Sequence, residues 1–146
     1  MMIERILFAT DFASHTDQAE RTTIELARAL TAELIVMHII EAIDPAEDED
    51  PLDDFYRDLK DQAETRLAAI RQKCEAVGVK AQTRVTVGRR WREIIELAER
   101  EQCSLVVLGG HAVDPARAQI GVTSHKVFFA CRVPLLTVRE AGPAAP

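Results

Sequence analysis

The sequence predicts an α/β fold, a single-domain, open, doubly wound sheet of five parallel strands. Three observations carry this prediction. The stretches Ile6–Ala9, Leu34–Met37 and Leu105–Leu108 are apolar runs without alternation, as strands covered on both faces require. Segments with apolar residues at three- and four-residue spacing separate them in strict strand-helix alternation. Each strand also stops at turn-forming or small polar residues: Thr10-Asp11, Gly88 and Gly109-Gly110.

Residues 3–9 become apolar towards their end and read as a central strand whose carboxyl end lies at Asp11. Ser14 is read as the cap of the following helix, with Asp17 three residues on completing a capping box. The helix extends to about Leu30 and turns Ala19, Thr23, Leu26, Ala27 and Leu30 towards the sheet. Residues 33–40 form the second strand, joined to the first by a right-handed crossover.

The interval from Glu41 to Asp54 then carries eight acidic residues and no basic one, with Pro45 and Pro51 inside it. Residues 41–54 are accordingly expected to form a solvated, mobile loop. A long helix is predicted from roughly Leu52 to Val77, stopped by Gly78 in a left-handed conformation. Residues 79–87 alternate loosely, as a strand near the sheet edge does.

Gly88 ends that strand, and Arg89–Ala98 is an amphipathic helix. Ser104–Leu108 is the next strand, with Gly109 and Gly110 expected to let the chain turn sharply at its end. A last helix leads from Gly121, and residues 135–139 form the final strand. The domain is expected to span residues 1–140, with 141–146 as a disordered tail.

At 146 residues with 29% charged and 47% apolar side chains, the chain is long enough to bury one core without disulfides or metals. A net charge of −6 argues against a nucleic-acid or membrane-surface binder, either of which needs a basic footprint. The start, Met1-Met2-Ile3-Glu4-Arg5, lacks the basic and apolar regions of an export signal. Cys74, Cys103 and Cys131 show neither metal-ligand nor redox spacing. Both features lead to the expectation of a cytoplasmic protein whose cysteines are core fillers.

The region from Leu105 to Thr123 joins a buried strand, a loop, Gly121 and a helix start carrying hydroxyls. Free N–H groups and the positive end of the helix dipole at such a start suit a phosphate. With the closing Val133–Val138 segment, this arrangement resembles the universal stress protein family. Its ATP-binding members carry Gly, two residues, Gly, nine residues, then Gly followed by Ser or Thr. Here Gly109 matches the first position, Ala112 replaces the second glycine, eight residues precede Gly121, and Val122 stands where the hydroxyl belongs. Thr123 comes one position late. The resemblance thus supports the fold more strongly than it supports ATP binding.

The resemblance implies a Rossmann-like sheet of order 3-2-1-4-5, whose switch point between strands 1 and 4 would bring Asp11 and Gly109 together. It also implies that Asp11 lies beside adenine and ribose and that the Ile39 backbone contacts adenine. Gly109, Gly110, His111, Ala112, Gly121, Val122 and Thr123 would then face ribose and phosphates. Asp11 and Thr123 equally suit turn-forming and capping roles. The loop bears Asp114 and Pro115 with Arg117 as its only cation, which counts against tight binding. His38 is read as a hydrogen-bonded core histidine, and His15 and His125 as helix-surface residues. No histidine pair has metal-site spacing.

No G-K-[ST], G-x-S-x-G or Cys-His pairing is legible, so catalysis is not predicted. Slow ATP hydrolysis with Mg²⁺ would have Asp11 as its obvious carboxylate. The expected function is a regulatory stress-response module with a weak adenine-nucleotide (ATP or AMP) site. The alternative is a dimeric protein-interaction module of the same fold that binds no nucleotide. The resemblance implies a homodimer through the final strand, 133–138, and Arg89, Arg90 and Trp91 form a candidate partner patch.

Overall fold

The computed structural model describes residues 2–41, 50–110 and 122–140. Five strands, β1 (Arg5–Ala9), β2 (Glu33–Glu41), β3 (Ala81–Gly88), β4 (Leu105–Gly110) and β5 (Leu135–Arg139), alternate with four helices. These are α1 (Asp17–Leu30), α2 (Asp50–Ala76), α3 (Arg90–Arg100) and α4 (Val122–Ala130). All strand pairings are parallel and the order is β3-β2-β1-β4-β5. The succession of strands reverses direction at β1, so the switch point lies between β1 and β4.

Strand alternation divides the core in two. Ile6, Phe8, Leu34, Val36, Leu105 and Val107 meet Ala19 and Ala27 of α1 and Leu67 and Ile70 of α2. Leu7, Ala9, Ile35, Met37, Val106 and Leu108 meet Ile94, Leu97 and Ala98 of α3 and Val127 of α4. Both faces of β1, β2 and β4 are therefore covered, which explains their unbroken apolar runs.

Several boundaries differ from expectation. Ser14 does not cap α1: it opens a 3-10 turn, Ser14–Thr16, and the cap position of α1 is Thr16, without a side-chain cap bond. Leu30 is 44% exposed, so the buried stripe of α1 ends at Ala27. Part of the expected acidic loop is helical, since α2 begins at Asp50. Pro51 is tolerated there because the first turn of a helix leaves its backbone donors unpaired. Residues 42–49 of that loop and the 141–146 tail lie outside the described residues.

Val79 is buried but precedes β3, which starts at Ala81 and is an edge strand as expected. Gly78 has φ +81° and ends α2 as predicted. The glycines after Leu108 do not turn the chain. They continue β4 and pair with Val138 and Arg139, and neither has a positive φ. Among the described residues, no helix is long and apolar enough to cross a membrane.

Candidate functional site

The exit of β1 is built around Thr10, which is only 6% exposed. Its N–H donates to Met37 O at 2.9 Å, extending the sheet by one bond beyond Ala9. Its hydroxyl accepts the Phe12 N–H at 3.0 Å and lies 3.2 Å from the Thr16 hydroxyl. Since Thr16 gives its proton to Ala13 O at 2.7 Å, Thr10 is the donor between the two hydroxyls. The next residue, Asp11, accepts the Ala13 N–H on Oδ1 at 2.9 Å, an Asx turn that fixes its carboxylate at the strand end.

Phe12 follows with φ +64°. Its ring stacks on His38, with centroids 4.3 Å apart and planes 26° from parallel, and the Arg66 guanidinium of α2 sits 5.3 Å from its centre. His38 Nδ1 lies 2.8 Å from Thr10 O. A carbonyl only accepts, so this nitrogen carries the proton. Burial is the main cause that lowers the His38 pKa, opposed by the Thr10 carbonyl; Arg90 and Arg66 lower it further and Asp11 raises it. These side chains therefore surround one imidazole at the carboxyl end of β2.

Across the switch point, Ala9 is in register with Leu108, which sets Gly109 and Gly110 beside the β1 exit. A Cβ on Gly109 would stand 3.0 Å from Thr16 Cγ2, 3.2 Å from Thr16 Cα and 3.3 Å from Ala19 Cβ. Gly109 is thus where β4 lets the start of α1 come close, and Thr16 links it to Thr10 and Asp11. Asp11 lies two residues past Ala9 and Gly109 one past Leu108, so both stand at the carboxyl ends of neighbouring strands. A Cβ on Gly110 would meet nothing within 4 Å, so a side chain at this position would border open space.

Ile39 is buried against the α3 side of the sheet. Because Met37 O points to β1, the main chain of Ile39, two residues on, faces the same side, where β1 has already ended. This suits a backbone contact to a ligand. At the start of α4, Thr123 is half-buried and Ser124 is 9% exposed. Val122 is the first residue of that helix. His111, Ala112 and Gly121 lie outside the described residues.

The basic segment before and within α3 is divided among different partners. Arg90 Nε is 3.7 Å from Glu41 and Arg84 Nη2 is 3.8 Å from Glu101. Trp91 is half-buried on the core, with Arg92 and Lys126 at 5.4 and 5.2 Å from its ring. Burial pushes the Cys74 and Cys103 thiols up to about 11, consistent with core roles. Thr86 Oγ1 is buried without a hydrogen-bond partner, and nothing in the structure accounts for it. Among the described residues, no three His, Cys, Asp or Glu side chains gather as a metal site.

Sequence reasoning missed Thr10, Phe12 and Thr16. Their signal was present in the succession Thr10-Asp11-Phe12 after a buried strand, but their roles depend on partners in β2, α1 and α2.

Fold and crevice together define an open, doubly wound α/β protein with its candidate site at the topological switch point. The model of the universal stress protein family matches residues 2–139, and the chain belongs to that family. It is 26% identical to universal stress protein YxiE of Bacillus subtilis, over 94% of this chain and the whole of that one. A universal stress protein solved in complex with cAMP superposes with a TM-score of 0.70 at 16% identity, covering 97% of this chain and 100% of that chain. The universal stress protein from Archaeoglobus fulgidus in complex with dAMP gives 0.68 at 16% identity, covering 95% and 100%.

Proposed function

We propose that this protein is a cytoplasmic regulatory stress-response module that takes an adenine nucleotide at the carboxyl ends of β1 and β4. The observation that carries this reading is the fixed Asp11 carboxylate, held by the Ala13 N–H, beside the Gly109–Gly110 strand end at the switch point. An acceptor at this place suits ribose hydroxyls or an adenine amino group, and the open space on the Cα side of Gly110 permits close approach. The complexes of two relatives with cAMP and dAMP support the ligand class. The departures at Ala112 and Val122 and the shortened loop make AMP-like ligands better candidates than ATP. One lost hydroxyl contact costs about 0.5–1.5 kcal/mol.

Among the described residues the site offers the Asp11 acceptor and no arranged nucleophile, and the reading is one of binding. ATP hydrolysis with Mg²⁺ would call on the Asp11 carboxylate. Calorimetric titration with AMP, cAMP, ADP and ATP tests the proposal, repeated with Asp11→Ala and Gly121→Val. Saturable binding weakened by both substitutions supports it. Absence of binding at millimolar ligand rejects it.

A second reading, a homodimer acting through protein contacts, is favoured by the β5 side of the molecule. β5 is an edge strand, and Phe128 and Phe129 of α4 are 62% and 72% exposed. An edge strand together with exposed aromatic rings on the preceding helix suits pairing through residues 133–138. Arg89, Arg90 and Trp91 remain a proposed partner contact on α3. Sedimentation of the wild type and of Val138→Lys separates the two states: a dimer that the substitution dissociates supports this interface.

A further inference from the structure

We infer that Phe12 is a positioning residue for Asp11: its ring, held by His38 and Arg66, keeps the β1 exit in the left-handed turn that sets the Asp11 carboxylate at the switch point. The identity of what Asp11 contacts rests on the adenine-nucleotide reading. The clamp itself rests on the contacts alone.

Three non-glycine residues among those described have a positive φ: Phe12, Thr31 and Gln102. Thr31 and Gln102 are exposed and lie one and two residues past the ends of α1 and α3, where a left-handed residue is an ordinary way to stop a helix. Phe12 follows a strand and is half-buried, so helix termination does not explain it. A bulky aromatic residue is strained in this region, whereas Gly or Asn would make the same turn with less strain. Strain of this kind persists where surrounding contacts impose it.

Those contacts come from separate elements. The Phe12 N–H is taken by Thr10 Oγ1, and the following N–H, of Ala13, by Asp11 Oδ1. His38 of β2 supplies the floor under the ring and is itself locked by its bond to Thr10 O. Arg66 of α2 supplies a further contact at 5.3 Å, within cation–π range. Ring and carboxylate belong to adjacent residues of one turn, so fixing the ring fixes the Asp11 backbone and limits where its carboxylate can point. The clamp thus pre-organises an acceptor at the ligand-facing end of the sheet.

The test compares wild type, Phe12→Gly and Phe12→Tyr. The glycine keeps the left-handed turn without strain and removes the ring; the tyrosine keeps the ring. Amide hydrogen exchange at Ala13, measured without ligand, reports whether the Asp11 turn is held. Calorimetry with AMP reports what the turn does for binding. Expected for Phe12→Gly is Ala13 exchange at least ten-fold faster, with AMP affinity reduced about ten-fold. Phe12→Tyr is expected to restore both exchange and affinity to within about two-fold.

Unchanged Ala13 exchange in Phe12→Gly overturns the clamp, whatever the nucleotide result. Faster exchange with unaltered AMP affinity overturns the positioning role. If wild type binds no AMP, the nucleotide reading fails separately. The exchange measurement then decides the clamp alone.

Discussion

Replacing Gly109 by alanine tests how α1 is seated against β4. The added methyl would approach Thr16 Cγ2 to 3.0 Å, Thr16 Cα to 3.2 Å and Ala19 Cβ to 3.3 Å. Thr16 cannot rotate away without loss, because its hydroxyl holds Ala13 O and receives the Thr10 proton, and its Cα is main chain. The helix start must therefore shift, at about 1–3 kcal/mol, the usual cost of overpacking. At about 2–4 °C per kcal/mol for a chain near this size, the melting temperature should fall by roughly 3–10 °C.

Gly110→Ala is the internal control. Its methyl meets nothing within 4 Å and its φ is not positive, so it should be neutral or stabilising by up to about 1 kcal/mol. Urea denaturation followed by circular dichroism measures both variants on one scale. Thr16→Ser in the Gly109→Ala background removes the methyl at 3.0 Å but leaves the main chain of residue 16 at 3.2 Å, so it should recover part of the loss. Equal destabilisation by the two alanines, or a silent Gly109→Ala, would refute the packing argument.

Further outcomes follow from the same contacts. Gly78→Ala should cost about 1–2 kcal/mol, because φ is +81° with open space around the position, and Gly78→Asn should cost less; thermal melts distinguish them. The His38 pKa lies below its unfolded value of about 6.5, so the unfolded chain takes up the proton first as pH falls. Stability from the neutral imidazole is full above that pH and is lost as pH drops towards the depressed native value. The difference in urea midpoint between wild type and His38→Gln should shrink from pH 7.5 to 5.5, and a growing difference would contradict this. A thiol reagent at pH 8 should label the half-buried Cys131 well before Cys74 and Cys103, whose thiols are buried and pushed to about 11; mass mapping identifies the order. Phe128→Ser with Phe129→Ser should change monomer stability by no more than about 0.5 kcal/mol, since both rings are exposed.

The sheet class and the main elements were legible in the chain without its fold. Runs such as Leu34–Met37 and Leu105–Leu108 leave no polar face for solvent, so a parallel sheet covered on both sides follows from local composition. The stop at Gly78 was equally legible, because glycine after a helical run is a local signal. The strand order came from family resemblance, since local periodicity carries no information about which strands are neighbours.

What the residues at the switch point do is settled by packing between elements. Gly109 and Gly110 read alike in sequence, yet one is required by the close approach of Thr16 and Ala19 and the other borders open space. Ser14 looked like the cap of α1, but the bonds among Thr10, Ala13 and Thr16 displaced the cap by two residues, to Thr16. Phe12 gave no sign of a left-handed conformation, because the contacts that impose it come from His38 and Arg66, 26 and 54 positions along the chain. Local patterns fix which face of an element is buried. The site depends on which elements converge at one end of the sheet, and that is set by packing across the whole chain.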